Sequence, residues 1–119
     1  MGAFSTIGLV AHNNSELIQE SFDRVIRCLL DQSVDVLVEA ETAHVLPAGD
    51  LQVLEADALG QHCDLIIAVG GDGNILGTAR LFAPLDVPVV GVNRGRLGFL
   101  ADISPDDIES ALKEVLAGN

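Results

Sequence analysis

The chain contains no tryptophan and no tyrosine, one methionine and four phenylalanines. A core of stacked rings is therefore excluded, and the 49% of hydrophobic residues must be packed mainly as leucine, valine, isoleucine and alanine. Basic residues are almost as sparse, six against 18 acidic ones, for a net charge of −12. Such a balance repels polyanions, which excludes nucleic acid and an anionic membrane surface as partners. No apolar run reaches the roughly 20 residues of a membrane-spanning helix. The opening MGAFSTIGLV lacks the basic region and small-residue cleavage site of a secretory signal. The only two cysteines, Cys28 and Cys63, are too far apart for a metal knuckle and stand in apolar, helix-like or strand-flanking settings. Two buried thiols in a reducing, cytoplasmic compartment is the simpler expectation, with a disulfide left open.

What is present is a strong alternation of strands and helices. At 119 residues the natural expectation is one compact domain over 1–119. TIGLVA (6–11) reads as a short buried strand. A helix is expected from about Asn14 to Asp31, where Leu17, Ile18, Phe22, Val25, Ile26, Leu29 and Leu30 recur at helical spacing behind Asn14 or Ser15 as cap. VDVLVEA (34–40) is a second strand. Residues 41–63 are the least legible, broken by Pro47 and Gly49, with a short helix expected over DLQVLEADAL. DLIIAVG (64–70) is a continuous apolar run, as in a strand covered on both faces of a parallel sheet. A helix follows over about Asp72–Ala83, with Ile75, Leu76, Ala79, Phe82 and Ala83 along one stripe. VPVVGVN (87–93) is a fourth strand, RGRLGFLADI an extended loop, and SPDDIESALKEVLAG a helix capped by Ser104, with Pro105 in its first turn, Asp107 completing a capping-box-like pattern and Gly118 ending it. There is no internal repeat, charge block or low-complexity segment. This order specifies an open, mainly parallel, three-layer α/β sheet of the Rossmann-like kind.

The stretch that demands explanation is Gly70-Gly71-Asp72-Gly73, where a buried strand ends in a loop almost without side chains. In open α/β sheets ligands gather at the carboxyl ends of strands, where loops turn into helices. Bare backbone there lets a phosphate approach the amides, with the helix dipole behind them. A tight strand-to-helix connection with Asp72 as its cap is an equally weighted alternative on pattern alone. Gly71-x-Gly73-x-x-x-Gly77 also resembles a variant dinucleotide fingerprint, but it follows the third strand rather than the first. No acidic residue ends a strand about 20 residues further on, Asn93 standing there instead. Gly77, inside a helix, points either to close helix–strand packing or to ligand access. A single carboxylate beside polyphosphate repels it unless the group holds a divalent cation or accepts the proton of an attacking hydroxyl. Both roles indicate phosphoryl transfer rather than hydride transfer. Of the basic residues, Arg80, Arg94 and Arg96 follow the two glycine-rich turns and give weak support for phosphate nearby.

VGGDGNILGTARLF followed by VPVVGVNRGRLGFLADI closely resembles the N-terminal domain of the bacterial NAD kinases. The GGDG motif alone is shared with diacylglycerol kinases and phosphofructokinase-like enzymes, whereas its pairing with GVNRGRLGFLAD is highly specific. The resemblance, which runs from about residue 5 to the end, implies the NAD kinase type of Rossmann-like fold and ATP-dependent phosphorylation of the 2′-hydroxyl of NAD's adenosine ribose, giving NADP. It implies Asp72 as proton acceptor, Asp72, Gly73, Leu76, Phe99 and Leu100 as NAD-binding positions, and Gly71 and Gly73 as phosphate-binding amides. Phe99 suits stacking on a purine, with a core plug as the alternative; Arg94 and Arg96 are candidates for holding phosphate or for plain solvation. The resemblance further implies ATP or polyphosphate as donor, Mg²⁺ or another divalent cation as cofactor, and a homo-oligomer at full length. Many family members carry arginine where this chain has Gly77, so a contact made there is lost. Family enzymes continue into an all-β domain with an Asn-Glu motif, which is absent here, so 119 residues alone are expected to be inactive. The alternatives are a Rossmann-like module that binds a dinucleotide without transferring phosphate, and a purely structural interaction domain.

Overall fold

In a computed structural model the described residues are 4–12, 15–46, 49–93, 102–104 and 107–117; at Asp72, Asn93 and Asp102 the description is of the backbone alone. Strands β1 (Thr6–Val10), β2 (Asp35–Glu39), β3 (Gln52–Leu54), β4 (Leu65–Gly70), β5 (Val89–Asn93) and β6 (Asp102–Ile103) form one sheet in the order β3-β2-β1-β4-β5-β6, every pairing parallel. The helices are α1 (Glu16–Asp31), α2 (Ala40–Val45), α3 (Ala56–His62), α4 (Asp72–Phe82) and α5 (Ile108–Leu116), with a 3₁₀ turn over Ala83–Leu85.

All six residues of β4 are buried, and their alternation divides the core into two. Leu65, Ile67 and Val69 join Ile7, Leu9, Val36 and Val38 under Phe22, Val25 and Leu29 of α1 and Ile108 and Leu112 of α5. Ile66 faces the other way, into a cluster with Val10, Leu37, Leu59, Cys63, Phe82 and Val87 beneath α3 and α4. The expected three-layer parallel architecture is therefore what the chain forms.

Several local expectations change. Helix α1 begins at Glu16, and Ser15 is its cap, its Oγ accepting from the Ile18 amide at 3.3 Å; Asn14 lies outside the described residues. Leu17 and Leu30 are more than half exposed, because the buried stripe is narrower than the apolar one and runs Ile18–Phe22–Val25–Leu29. Leu76 and Ala83 likewise leave the expected stripe of α4 and are exposed, while Ile75 and Phe82 are buried. The region 41–63 holds three elements rather than one: α2, the edge strand β3 and, after it, α3. The expected loop before the last helix contributes β6, which pairs with β5. Helix α5 starts at Ile108, later than expected. The Ser104 carbonyl accepts from the Asp107 amide at 2.9 Å, and Asp107 occupies the cap position of α5 without a side-chain capping bond. Pro105 and Gly118 lie outside the described residues. Both cysteines are free and buried, which removes the disulfide alternative.

Candidate functional site

Strand order locates the crevice. From β1 the chain steps outward to β2 and β3, then returns to β4 on the other side of β1 and continues outward to β5 and β6. The loops leaving β1 and β4 therefore diverge to opposite faces of the sheet, and the gap between them is the topological switch point at which such sheets bind ligands. Register Val10↔Ala68 aligns the two strands there. At the opposite edge Asp64 fixes that register: its carboxylate accepts from the Ser5 amide (2.9 Å), the Ser5 hydroxyl (3.2 Å) and the Thr6 amide (3.1 Å).

One wall of the crevice is the glycine turn. Gly70 ends β4 at φ +156°, a conformation that disfavours a side chain, and a Cβ there would press on Asn74 at 3.1 Å. Gly71, extended at φ −90° and ψ 179°, is the cap of α4, its carbonyl accepting the first helical bond from the Ile75 amide at 3.0 Å. The cap position thus falls on a residue with no side chain, and Asp72 is the first residue of the helix proper. The alternative of Asp72 as N-cap is not what the backbone adopts. A helix leaves its first amides without intrahelical acceptors, and with glycine as cap those of α4 receive no side-chain oxygen from the cap position. A Cβ placed on Gly71, Gly73 or Gly77 would meet nothing within 4 Å among the described residues. Gly77 therefore does not serve close helix–strand packing. Gly73, Leu76, Gly77 and Arg80 form the outward face of α4, with Leu76 38% exposed.

Of the sequence-predicted site residues, Gly71, Asp72 and Gly73 come together at this turn and Leu76 lies one helical turn on. Phe99, Leu100, Arg94 and Arg96 lie outside the described residues. Arg80 falls in the last turn of α4, about 12 Å along the axis from Asp72 at 1.5 Å per residue, so its backbone stands well away from the glycine turn.

The opposite wall was not legible in the sequence. Beyond β1 the backbone of Ala11, buried at 1% exposure, is held on both sides by one hydroxyl. The Ala11 amide donates to Thr42 Oγ1 at 2.9 Å, and Thr42 Oγ1 donates back to the Ala11 carbonyl at 2.9 Å. Thr42 is in turn held by Glu39, the last residue of β2: Glu39 Oε1 accepts from the Thr42 amide at 3.0 Å and, at 2.7 Å, shares the single Thr42 hydroxyl proton with the Ala11 carbonyl. Thr42 is fully buried and Glu39 nearly so. In dinucleotide-binding Rossmann folds an acidic residue at the end of the second strand reads the ribose. Here that position is occupied by Glu39, whose carboxylate is engaged in capping α2.

Other features lie away from this crevice. A cleft between α1 and α5 gathers Arg24, Arg27 and Lys113 with Asp31 and Glu109. Arg24 grips Glu109 with two nitrogens at 2.6 and 3.1 Å, and this hydrogen bonding holds the Glu109 carboxyl below the usual range. Burial pushes the Cys63 thiol up to about 12, with the neighbouring Asp64 charge adding to it, and burial raises Cys28 as well. Both are protonated, unreactive core residues rather than nucleophiles. Among the described residues no three His, Cys, Asp or Glu side chains are grouped to hold a metal ion, and no helix is long and apolar enough to cross a membrane.

The family model for the ATP-NAD kinase N-terminal domain matches residues 7–119. The chain is 52% identical over 118 residues to the NAD kinase of Teredinibacter turnerae and 50% identical over 123 residues to that of Cellvibrio japonicus. These alignments cover 99% of this chain but 40% and 41% of those proteins, so the chain spans about two fifths of the length of the curated relatives it matches. Among solved structures, yeast NADH kinase complexed with NADH superposes with a TM-score of 0.77 at 20% identity, over 95% of this chain and 38% of the other. At that identity the likeness speaks for the fold.

Proposed function

The chain belongs to the ATP-NAD kinase N-terminal domain family, and from that premise we propose that it is the nucleotide-binding part of an enzyme that moves the γ-phosphoryl group of ATP to the 2′-hydroxyl of NAD's adenosine ribose. The observation that carries this reading is the glycine-capped N-terminus of α4 at the switch point of the sheet. Phosphate oxygens would accept from the Gly71 and Gly73 amides, stabilised by the helix dipole. Asp72 would take the proton of the ribose hydroxyl as its oxygen attacks the γ-phosphorus and the bond to the β-phosphate oxygen breaks. Leu76, exposed one turn along α4, would supply apolar contact to the adenosine, with Phe99 and Leu100 as its partners from the second motif.

The donor set suits a cation that arrives with the phosphates better than a protein cage, since the described residues group no three ligands. Mg²⁺ or another divalent ion would be held chiefly by phosphate oxygens and would neutralise their charge, leaving Asp72 as the proton acceptor. ATP or polyphosphate as donor, a homo-oligomer at full length and a cytoplasmic location belong to the same reading.

A dinucleotide-binding module without kinase activity has one feature in its favour, the strand order, which is that of dinucleotide-binding folds. Against it, the turn after β1 has no glycine and the acidic end of β2 is engaged internally. Activity separates the two. A version of this chain extended by the remaining portion of its relatives should form NADP from NAD and ATP, whereas the 119-residue chain should show little or none, because about half the positioning groups are missing. Tight NAD binding by the 119-residue chain in calorimetry, with no NADP formed by the extended one, would favour the binding module.

A further inference from the structure

The turn after β1 contains one basic side chain, His12, to which the family reading assigns nothing. Its position follows from the register. Val10, the last residue of β1, is level with Ala68 of β4, and the strands are parallel, so His12 and Gly70, each two residues further on, leave the sheet at the same end. Gly70 is where the glycine turn begins. Between Ala11 and His12 the chain passes from full burial to exposure, at the mouth of the crevice. Ordinarily the residue after a strand end is free to swing. Here Ala11 has both its amide and its carbonyl fixed by Thr42 Oγ1, and Thr42 is itself fixed by Glu39. A buried threonine with this pair of bonds to one residue extends the ladder of β1 by a step and sets the direction in which His12 leaves.

The charge balance gives that direction a use. The chain carries a net charge of −12, and among the described residues Arg80 stands two turns from the glycine turn while Arg24, Arg27 and Lys113 gather at the α1–α5 cleft; Arg94 and Arg96 lie outside the described residues. An imidazole N–H on the β1 side complements the bare amides of α4, since a phosphate chain seated on those amides presents its other oxygens across the crevice. We propose that His12 contacts this phosphate chain from the β1 side, opposite Gly71 and Gly73, and that Thr42 is the positioning residue that holds it there. The inference rests on the phosphate-turn reading above. The ligand chemistry is a polyphosphate ester, borne either by the donor nucleotide or by the dinucleotide acceptor.

Titration of inorganic tripolyphosphate, then of ATP and of NAD, into the ¹⁵N-labelled chain tests it. The His12 side-chain resonance should move together with the Gly71 and Gly73 amides. His12→Ala should weaken tripolyphosphate binding about tenfold, the worth of one charge-assisted hydrogen bond. Thr42→Val, which keeps shape but loses the hydroxyl, should weaken it in the same direction, and Thr42→Ser should restore it. His62→Ala, at the opposite edge of the sheet beside Thr6 and Asp35, should leave it unchanged. A loss confined to ATP assigns the contact to the donor, and one confined to NAD assigns it to the acceptor; both support the proposal. Glycine amides that respond while His12 does not, or a His12→Ala chain that binds as the parent does, overturn the proposal and leave the phosphate turn standing. Silence of both overturns the two together.

Discussion

At the scale of single residues, the buried polar groups of the described chain serve to hold the fold. Asp64, Thr42 and Glu39 have their oxygens engaged with backbone amides of neighbouring strands and helices. Ser21 is the exception: fully buried on α1, its hydroxyl has no hydrogen-bond partner among the described residues. A buried donor left unpaired costs on the order of 1–3 kcal/mol, and alanine also favours a helix interior. Ser21→Ala should therefore raise stability by about 1 kcal/mol, read as a higher urea midpoint at unchanged slope. A lower midpoint would mean that the hydroxyl has a partner in solution. Residue roles of this kind were only partly open to sequence reading. Asp72 stood out because a charge among glycines is chemically odd. His12 and Thr42 did not, since the signal that unites them is strand order, and a chain read linearly does not reveal which loops face each other.

At the scale of elements, the long, strongly patterned segments were legible and the short ones were not. The six apolar residues of β4 and the stripe Ile18–Phe22–Val25–Leu29 of α1 specify their structure by burial alone. Helix α2 has six residues and depends on Glu39 as its cap, β3 has three, and β6 two. Such pieces are fixed by their neighbours, which a local pattern does not contain. The seam between α3 and β1 illustrates tertiary fixing. A Cβ on Gly8 would come within 3.0 Å of Leu59 Cγ and Cys63 Sγ, so helix and strand meet here as closely as atoms allow. Burial in that seam is what raises the Cys63 thiol from 9.0 to about 12. A group whose folded value is raised contributes fully below its unfolded value and loses that contribution as pH climbs toward the folded one. Stability should thus hold to about pH 9 and then decline by up to about 1.4 kcal/mol per pH unit toward 12. The chain has no tyrosine to obscure this window. Cys63→Ala should flatten the decline in denaturation curves taken at successive pH values. A decline of equal steepness in the variant would place its origin elsewhere.

At the scale of the whole molecule, three layers serve to bring two loops together at one edge of a sheet. The parallel sheet, the helices on both faces and the glycine turn at the end of β4 were all anticipated. The six-strand order that makes the β1–β4 gap the switch point emerges from the folded chain. Within the family, this chain corresponds to the N-terminal domain and matches about two fifths of its relatives' length. On the proposed reading it is one part of a site: amides and a carboxylate on α4, a histidine on the β1 turn, and further groups supplied by the rest of an enzyme of the relatives' length. Everything turns on Asp72 acting on the substrate hydroxyl rather than on the fold. The direct measurement is steady-state NADP formation by a chain of the relatives' full length carrying Asp72→Asn, alongside its thermal midpoint. The account expects kcat to fall by at least about a hundredfold, the worth of a positioned general base, with the midpoint unchanged. Turnover close to that of the parent enzyme would contradict it.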